Sequence, residues 1–146
     1  MTQTGIADDI VQEISIQAPA DRVFDALTDP AQLVRWWGDG ERFKTTHAEI
    51  DLRAGGAWIM QGAGMGGRPF TVKGRYREVT RPRLLVFTWL PDWQGDATES
   101  VVRIELTETR GVTTVRLTHS GLVTDASRAS HRGWPYILGW LKAHVE

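Results

Sequence analysis

Histidine is the residue type in this sequence best suited to acid–base chemistry, because it titrates near neutrality. The four histidines are His47, His119, His131 and His144. His119 alternates in step with Val115 and Leu117, so we predict that its side chain points to the covered face of a strand. It could act there as a general base or polar anchor, or as a hydrogen-bonded structural histidine. We favour the structural role, because the sequence places no acid or nucleophile beside it.

The other histidines do not form a recognisable reactive group. His47 falls on the polar side of its strand and is predicted to face solvent, while His131 and His144 lie on or near the last helix. Their spacing is not that of a zinc site, and the chain has no cysteine. We therefore predict no metal, no disulfide and no cofactor.

Three carboxylates in a loop beside Trp93 could in principle do acid–base work. They are Asp92, Asp96 and Glu99. Such chemistry depends on the distance between two carboxyl groups, and nothing in the sequence sets that distance. We assign no catalytic residue.

The glycine-rich residues 62–67 spell the pattern GxGxxG, but their surroundings do not suit a dinucleotide site. Such a site needs a helix immediately after the glycines, whose N-terminus holds the pyrophosphate. Here Arg68, Pro69 and another predicted strand follow, so the segment is predicted to be a hairpin loop. A further hypothesis is that it forms a mobile flap, which would require low amide-exchange protection.

Tryptophan is abundant, with seven in 146 residues, and the seven are spread along most of the chain. Such a set either fills one core or lines one cavity, and we favour a cavity, because small-molecule sites have apolar walls with a few polar tips. The predicted ligand-binding residues are Trp37, Trp58, Met60, Phe70, Val72, Tyr76, Phe87, Trp89, His119, Trp134, Leu138 and Leu141. For residues 84–90 the sequence leaves open which alternate set faces this cavity.

The elements that would position these residues follow from hydrophobic periodicity. Residues 10–18 alternate as a strand, and two short helices are predicted to follow, starting near Pro19 and at Pro30. From residue 46 to residue 120 period two returns, predicting six strands in an antiparallel meander. Asp125 is a candidate helix N-cap, and a long amphipathic helix starts near Trp134. This order predicts an α+β fold with a curved antiparallel sheet of six to seven strands and a C-terminal helix.

Composition excludes several classes of protein. The length of 146 residues suits one domain, residues 1–146. A net charge of −1 excludes nucleic-acid binding through bulk charge, and no apolar run approaches a membrane span. The N-terminal residues lack the regions of a signal peptide, so we expect a cytoplasmic protein. A basic stretch is either an anion-binding or partner-binding face or, as we favour, a solvated outer sheet face; it consists of Arg53, Arg68, Arg75, Arg77, Arg81 and Arg83.

Several local motifs together resemble one family. The segments are APADRVFDALT (residues 18–28), LVRWWG (33–38), DLRAGGAW (51–58), LVFTW (85–89), LTHSG (117–121) and HRGW (131–134). They are similar to the motifs of the helix-grip (START-like, SRPBCC) superfamily. Within it they resemble the domain homologous to the C-terminal part of the activator of the heat-shock protein 90 ATPase.

The resemblance implies a fold in which a curved sheet grips the C-terminal helix around a cavity. It also implies three hypotheses for function. The first is binding of an apolar or aromatic small molecule, as by lipid-binding relatives. The second is a cyclase or hydrolase that uses the same cavity, with His119 as the first candidate base. The third is an interaction with a chaperone partner. Both a monomer and a dimer are compatible with the sequence.

Overall fold

The computed structural model describes residues 9–93 and 98–146, and all structural statements below concern these residues. The candidate carboxylate Asp96 lies outside them. The chain begins with strand β1, Ile10–Ile16, in which partly buried and exposed residues alternate as predicted. Helix α1, Ala20–Thr28, and helix α2, Pro30–Trp36, follow directly.

The two short helices start where the sequence offers a suitable first turn. Pro19 is the N-cap of α1, and Pro30 occupies the first turn of α2, where no hydrogen bond from its nitrogen is needed. The Asp29 side chain accepts a hydrogen bond from the backbone nitrogen of Ala31 at 3.0 Å, so α2 has a conventional N-cap.

Six further strands complete one antiparallel sheet. They are β2 (Phe43–Ile50), β3 (Ala57–Gly64), β4 (Pro69–Thr80), β5 (Leu84–Pro91), β6 (Ser100–Thr109) and β7 (Val112–Ser120). The spatial order is β1-β7-β6-β5-β4-β3-β2, so the meander runs across the sheet and β1 adds to its far side. The sheet is curled into a half-barrel, which confirms the predicted α+β helix-grip fold.

Helix α3, Asp125–Ser130, and helix α4, Trp134–Val145, end the chain. The N-cap of α3 is Thr124, whose hydroxyl accepts a hydrogen bond from Ser127 nitrogen, and not Asp125, which is the first helical residue. Both residue types cap helices well, and the sequence does not distinguish two such neighbours. Helix α4 starts at Trp134, as expected from Gly133 and Pro135.

The glycine-rich segment is a hairpin, as predicted, but its turn begins later than residue 62. Strand β3 continues to Gly64, a single 3-10 turn covers Met65–Gly67, and β4 follows. Gly62 lies inside the ladder between β2 and β4, and a Cβ there would be 2.0 Å from the carbonyl oxygen of Lys44. Glycine at this position lets the neighbouring strand approach closely. Because glycine is also typical of loops, the sequence pattern predicted a loop where the structure has a strand.

Candidate functional site

A small cavity of about 30 Å³ lies between the inner face of the sheet and helices α1 and α2. Its walls are Leu27, Leu33, Trp37, Ile50, Trp58, Met60, Tyr76, Leu85, Phe87, Trp89 and Ile104. Among the residues that the structure describes, no charged side chain lines it. Apolar walls with a few polar tips are typical of a small-molecule site.

Strand periodicity explains which residues meet at this cavity. On β5, Leu85, Phe87 and Trp89 point inward, which settles the orientation that the sequence left open. Trp58 and Met60 of β3 share a face in the same way. Thr88 is also buried, but on the opposite parity, where its hydroxyl accepts a hydrogen bond from Arg75 nitrogen at 2.8 Å.

The aromatic residues pack largely against one another. Trp89 is at the centre, with ring centroids of Trp134 at 5.2 Å, Trp58 at 5.7 Å and Trp37 at 6.3 Å. Pockets for drug-sized molecules usually enclose about 300–1,000 Å³, whereas 30 Å³ is roughly the volume of one water molecule. The structure therefore has a nearly filled aromatic core rather than the propped-open cavity that we expected.

One polar atom of a cavity-lining residue has no hydrogen-bond partner among the described residues. The indole Nε1 of Trp58 is buried and makes no hydrogen bond within the described part of the chain, and the residue is 5% exposed. Tyr76, on the same wall, is similarly buried, and burial raises the pKa of its phenol, so its hydroxyl stays protonated. The walls thus present hydrogen-bond donors and no charge.

His119 is fully buried and held on both ring nitrogens. The indole Nε1 of Trp134 donates to its Nδ1 at 3.1 Å. Since a neutral imidazole has one acceptor and one donor nitrogen, Nε2 carries the proton and donates to Ser100 Oγ at 2.7 Å. The Ser100 hydroxyl is in turn directed to the carbonyl oxygen of Trp89 at 3.3 Å.

This arrangement makes His119 a poor general base. Burial, reinforced by the neighbouring His131, lowers the pKa of His119 to about 3. Its acceptor nitrogen faces Trp134, and the nitrogen that faces Ser100 already carries a proton. The geometry is that of the structural histidine favoured from the sequence.

A second buried histidine, His131, adjoins His119, and the sequence did not predict this contact. His131 lies between α3 and α4, accepts a hydrogen bond from Trp89 Nε1 at 2.9 Å, and directs its Nδ1 to Ser127 oxygen at 2.8 Å. Its ring centroid is 4.9 Å from that of His119. Burial lowers the pKa of His131, although the Ser127 carbonyl opposes this effect. A residue between two helices has no periodicity from which its burial could be read.

The structure places the twelve predicted site residues in three kinds of position. The cavity is lined by six of them: Trp37, Trp58, Met60, Tyr76, Phe87 and Trp89. The adjoining buried core contains Val72, His119, Trp134, Leu138 and Leu141. Phe70 is half-buried and packs against Phe43 and Trp93. Direct ligand contact remains a prediction for all twelve.

Five cavity residues were absent from the predicted set: Leu27, Leu33, Ile50, Leu85 and Ile104. The apolar stripes of α1 and α2 contain Leu27 and Leu33, but periodicity does not reveal which part of the sheet a stripe covers. The sequence placed the C-terminal helix opposite the cavity. In the structure, α1 and α2 supply that wall.

A larger open groove of about 680 Å³ lies on the opposite face of the sheet. Its walls include exposed Lys73 and Arg75 together with Glu49, Asp51 and Glu99. Both charge signs are present, and Glu49 and Asp51 already pair with His47 and Arg53. Lys73, Arg75 and Arg77 are exposed, as expected for a solvated outer face. We place the candidate site at the inner cavity, because the groove has charged side chains of both signs and two of its carboxylates are already paired.

Two other residues that the sequence suggested for catalysis or metal binding, Asp92 and His47, make local contacts in the structure. Asp92 accepts a hydrogen bond from Thr71 nitrogen at 2.9 Å, and exposed His47 contacts Glu49. Over residues 9–93 and 98–146, no group of three or more histidine, aspartate or glutamate side chains is arranged to hold a metal ion. In the same residues, no helix has both the length and the apolar character needed to cross a membrane.

Known proteins with the same architecture were found by comparison. The crystal structure of CV1439 from Chromobacterium violaceum is 26% identical, with a TM-score of 0.79, and the match covers 94% of this chain and 97% of that chain. An AHSA1-like protein from Aeromonas hydrophila, solved by NMR, is 25% identical with a TM-score of 0.77, covering 94% and 91%. CalU16 from Micromonospora echinospora is 25% identical with a TM-score of 0.69, covering 94% and 76%.

No curated protein matches the sequence. A family described as "Activator of Hsp90 ATPase homolog 1-like protein" matches residues 17–146. This match covers both short helices, β2 to β7 and the C-terminal helices, and so includes every residue of the cavity wall. It agrees with the resemblance drawn from the sequence motifs. The chain belongs to the Activator of Hsp90 ATPase homolog 1-like family.

Proposed function

We propose that this protein binds an apolar or aromatic small molecule between the inner face of the sheet and helices α1 and α2. The observation that carries the proposal is the cavity wall, which combines aliphatic and aromatic side chains with a buried indole donor and contains no charge. Burial of apolar surface would provide most of the binding free energy.

The ligand must displace side chains to enter, because the cavity holds only about 30 Å³. Two features of the wall favour such a change. Met60 is unbranched and can adopt other rotamers at small cost. Helices α1 and α2 are only nine and seven residues long, so a small outward shift would disturb few backbone hydrogen bonds. We expect binding to enlarge the site at this wall.

Binding is favoured over catalysis by the state of His119. The enzyme hypothesis assigned this residue as the first candidate base, but its acceptor nitrogen is occupied by Trp134 and burial keeps it neutral. We therefore propose that the protein binds its ligand and does not catalyse a reaction on it. The chaperone-partner hypothesis predicts a different behaviour, in which small aromatic compounds do not bind and a chaperone ATPase is stimulated.

A cavity-enlarging substitution tests the proposal. Leu33→Ala should increase the affinity for a small aromatic hydrocarbon such as indene roughly tenfold, because more apolar volume becomes available without disturbing the sheet. The measurement is a titration followed by tryptophan fluorescence and by NMR. The expected wild-type result is saturable binding at micromolar concentration.

Leu106→Ala is the matched control, since Leu106 is equally buried in the core but does not line the cavity. It should lower stability to a similar extent and leave the affinity unchanged. If neither the wild type nor Leu33→Ala shows saturable binding, the proposed function is wrong, and the chaperone ATPase assay becomes the next measurement.

A further inference from the structure

The indole nitrogen of Trp58 is the unusual polar atom of the inner cavity. The ring is clamped by Phe87 and Trp89, with centroids 5.4 and 5.7 Å away, and the residue is 95% buried. A clamped ring cannot easily turn its N–H toward another acceptor. Within the described part of the chain this N–H has no partner.

Other buried tryptophans show that the fold normally satisfies such a group. The Nε1 atom of Trp36 donates to Ala26 oxygen at 2.9 Å, that of Trp89 to His131, and that of Trp134 to His119. Leaving a buried donor unpaired costs about 1–3 kcal/mol, so native proteins rarely tolerate it without a functional reason. Trp58 is a lining residue of the cavity, so a ligand bound there could pair with its free donor.

The chemistry of the wall restricts what could pair there. An indole N–H is a donor only, so its partner must offer an acceptor. The hydroxyl of Tyr76 on the same wall can also donate. Within the described part of the chain, no cationic side chain lines the cavity to balance an anionic ligand, and burying an unpaired charge is costly. The acceptor must therefore belong to a neutral group, and the aromatic surroundings favour one carried on a ring.

We propose that the ligand is a neutral aromatic carbonyl compound whose oxygen accepts a hydrogen bond from Trp58 Nε1. This inference rests on the proposed function and adds the chemical class of the ligand and the residue that recognises it. The carbonyl oxygen would satisfy the unpaired donor, and the ring would pack among the apolar walls. A hydrocarbon of the same shape would leave the donor unpaired and so lose this contribution.

Acetophenone and α-methylstyrene are suitable probes, because they have nearly the same shape and differ in a carbonyl oxygen replaced by a methylene group. We expect Trp58→Phe to weaken acetophenone binding roughly three- to tenfold more than α-methylstyrene binding, as measured by NMR titration. Equal losses for the two compounds would overturn the inference while leaving the proposed function intact. Failure of both to bind the wild type would overturn the inference and also contradict the proposed function.

Trp37→Phe is the matched control. Trp37 lines the same cavity, but its Nε1 is not a buried unpaired atom, so the ratio of the two affinities should not change. A second measurement avoids substitution at the site. In the wild-type protein, acetophenone but not α-methylstyrene should move the Trp58 indole N–H resonance downfield. An unmoved resonance on saturation with acetophenone would overturn the inference.

Discussion

At the scale of the residue, the central feature is a hydrogen-bond network that fixes one tautomer for each of two buried histidines. Trp134 donates to His119, His119 donates to Ser100, and Ser100 is directed to Trp89 oxygen. Trp89 in turn donates to His131. The network links β5, β6 and β7 to the start of α4, so its residues attach the C-terminal helix to the sheet.

Ser100→Ala should destabilise the protein by about 1–3 kcal/mol, because it leaves the buried N–H of His119 without an acceptor. Ser15→Ala is the control, since the Ser15 side chain is exposed on β1 and takes no part in these hydrogen bonds. Urea unfolding of both variants measures the difference. Equal losses of stability would show that the assigned tautomer of His119 is wrong.

The network also shows how far the sequence can predict a site at this scale. Alternation with Val115 and Leu117 was enough to place His119 on the buried face. Its partners could not be predicted, because Ser100 and Trp134 come from other elements and meet His119 only through strand register and helix position. The same holds for the unpaired N–H of Trp58, which depends on the orientation of one ring.

At the scale of the element, β4 and β5 approach unusually closely. A Cβ at Gly74 would lie 1.9 Å from the carbonyl oxygen of Thr88, and Arg75 nitrogen donates to the Thr88 side chain. Strands β4 and β5, which carry Tyr76, Phe87 and Trp89 of the cavity wall, are therefore in close contact at Gly74. Alternation predicted both strands, but Gly74 looked like any other inward position.

Gly74→Ala should lower stability by about 3 kcal/mol or more, because the clashing atom belongs to the backbone of a central strand and cannot move without distorting the ladder. Gly64→Ala in the neighbouring strand is the control. Its nearest atom would be 3.7 Å away, so its effect should stay within about 1 kcal/mol. Thermal unfolding compares the two, and similar melting temperatures would contradict the close approach.

At the scale of the whole molecule, the order of elements could be predicted and the volume between them could not. Period two, period 3.6 and turn residues define seven strands and their neighbouring helices. A cavity depends on how tightly large side chains pack, and shifts of an ångström or two decide between a pocket and a filled core. Seven tryptophans are compatible with both, and here most of their rings contact one another.

Burial of the two network histidines also makes the stability of the whole fold depend on pH. Histidine in an unfolded chain has a pKa near 6.5, whereas in the folded protein the pKa of His119 falls to about 3 and that of His131 is also lowered, in both cases mainly by burial. Below pH 6.5 the unfolded chain therefore binds protons that the native state does not. Stability should be greatest above about pH 6.5 and fall as the pH decreases toward the folded-state values.

Each of these histidines can contribute at most about 1.4 kcal/mol of lost stability per pH unit. Urea unfolding between pH 7.5 and pH 5 measures the slope while most carboxylates remain ionised. His131→Gln should reduce the slope, because it removes one of the histidines whose pKa is lowered in the folded protein. A stability that does not change across this range would mean that the buried histidines are accessible to protons, and the network could not then hold α4 against the sheet as described.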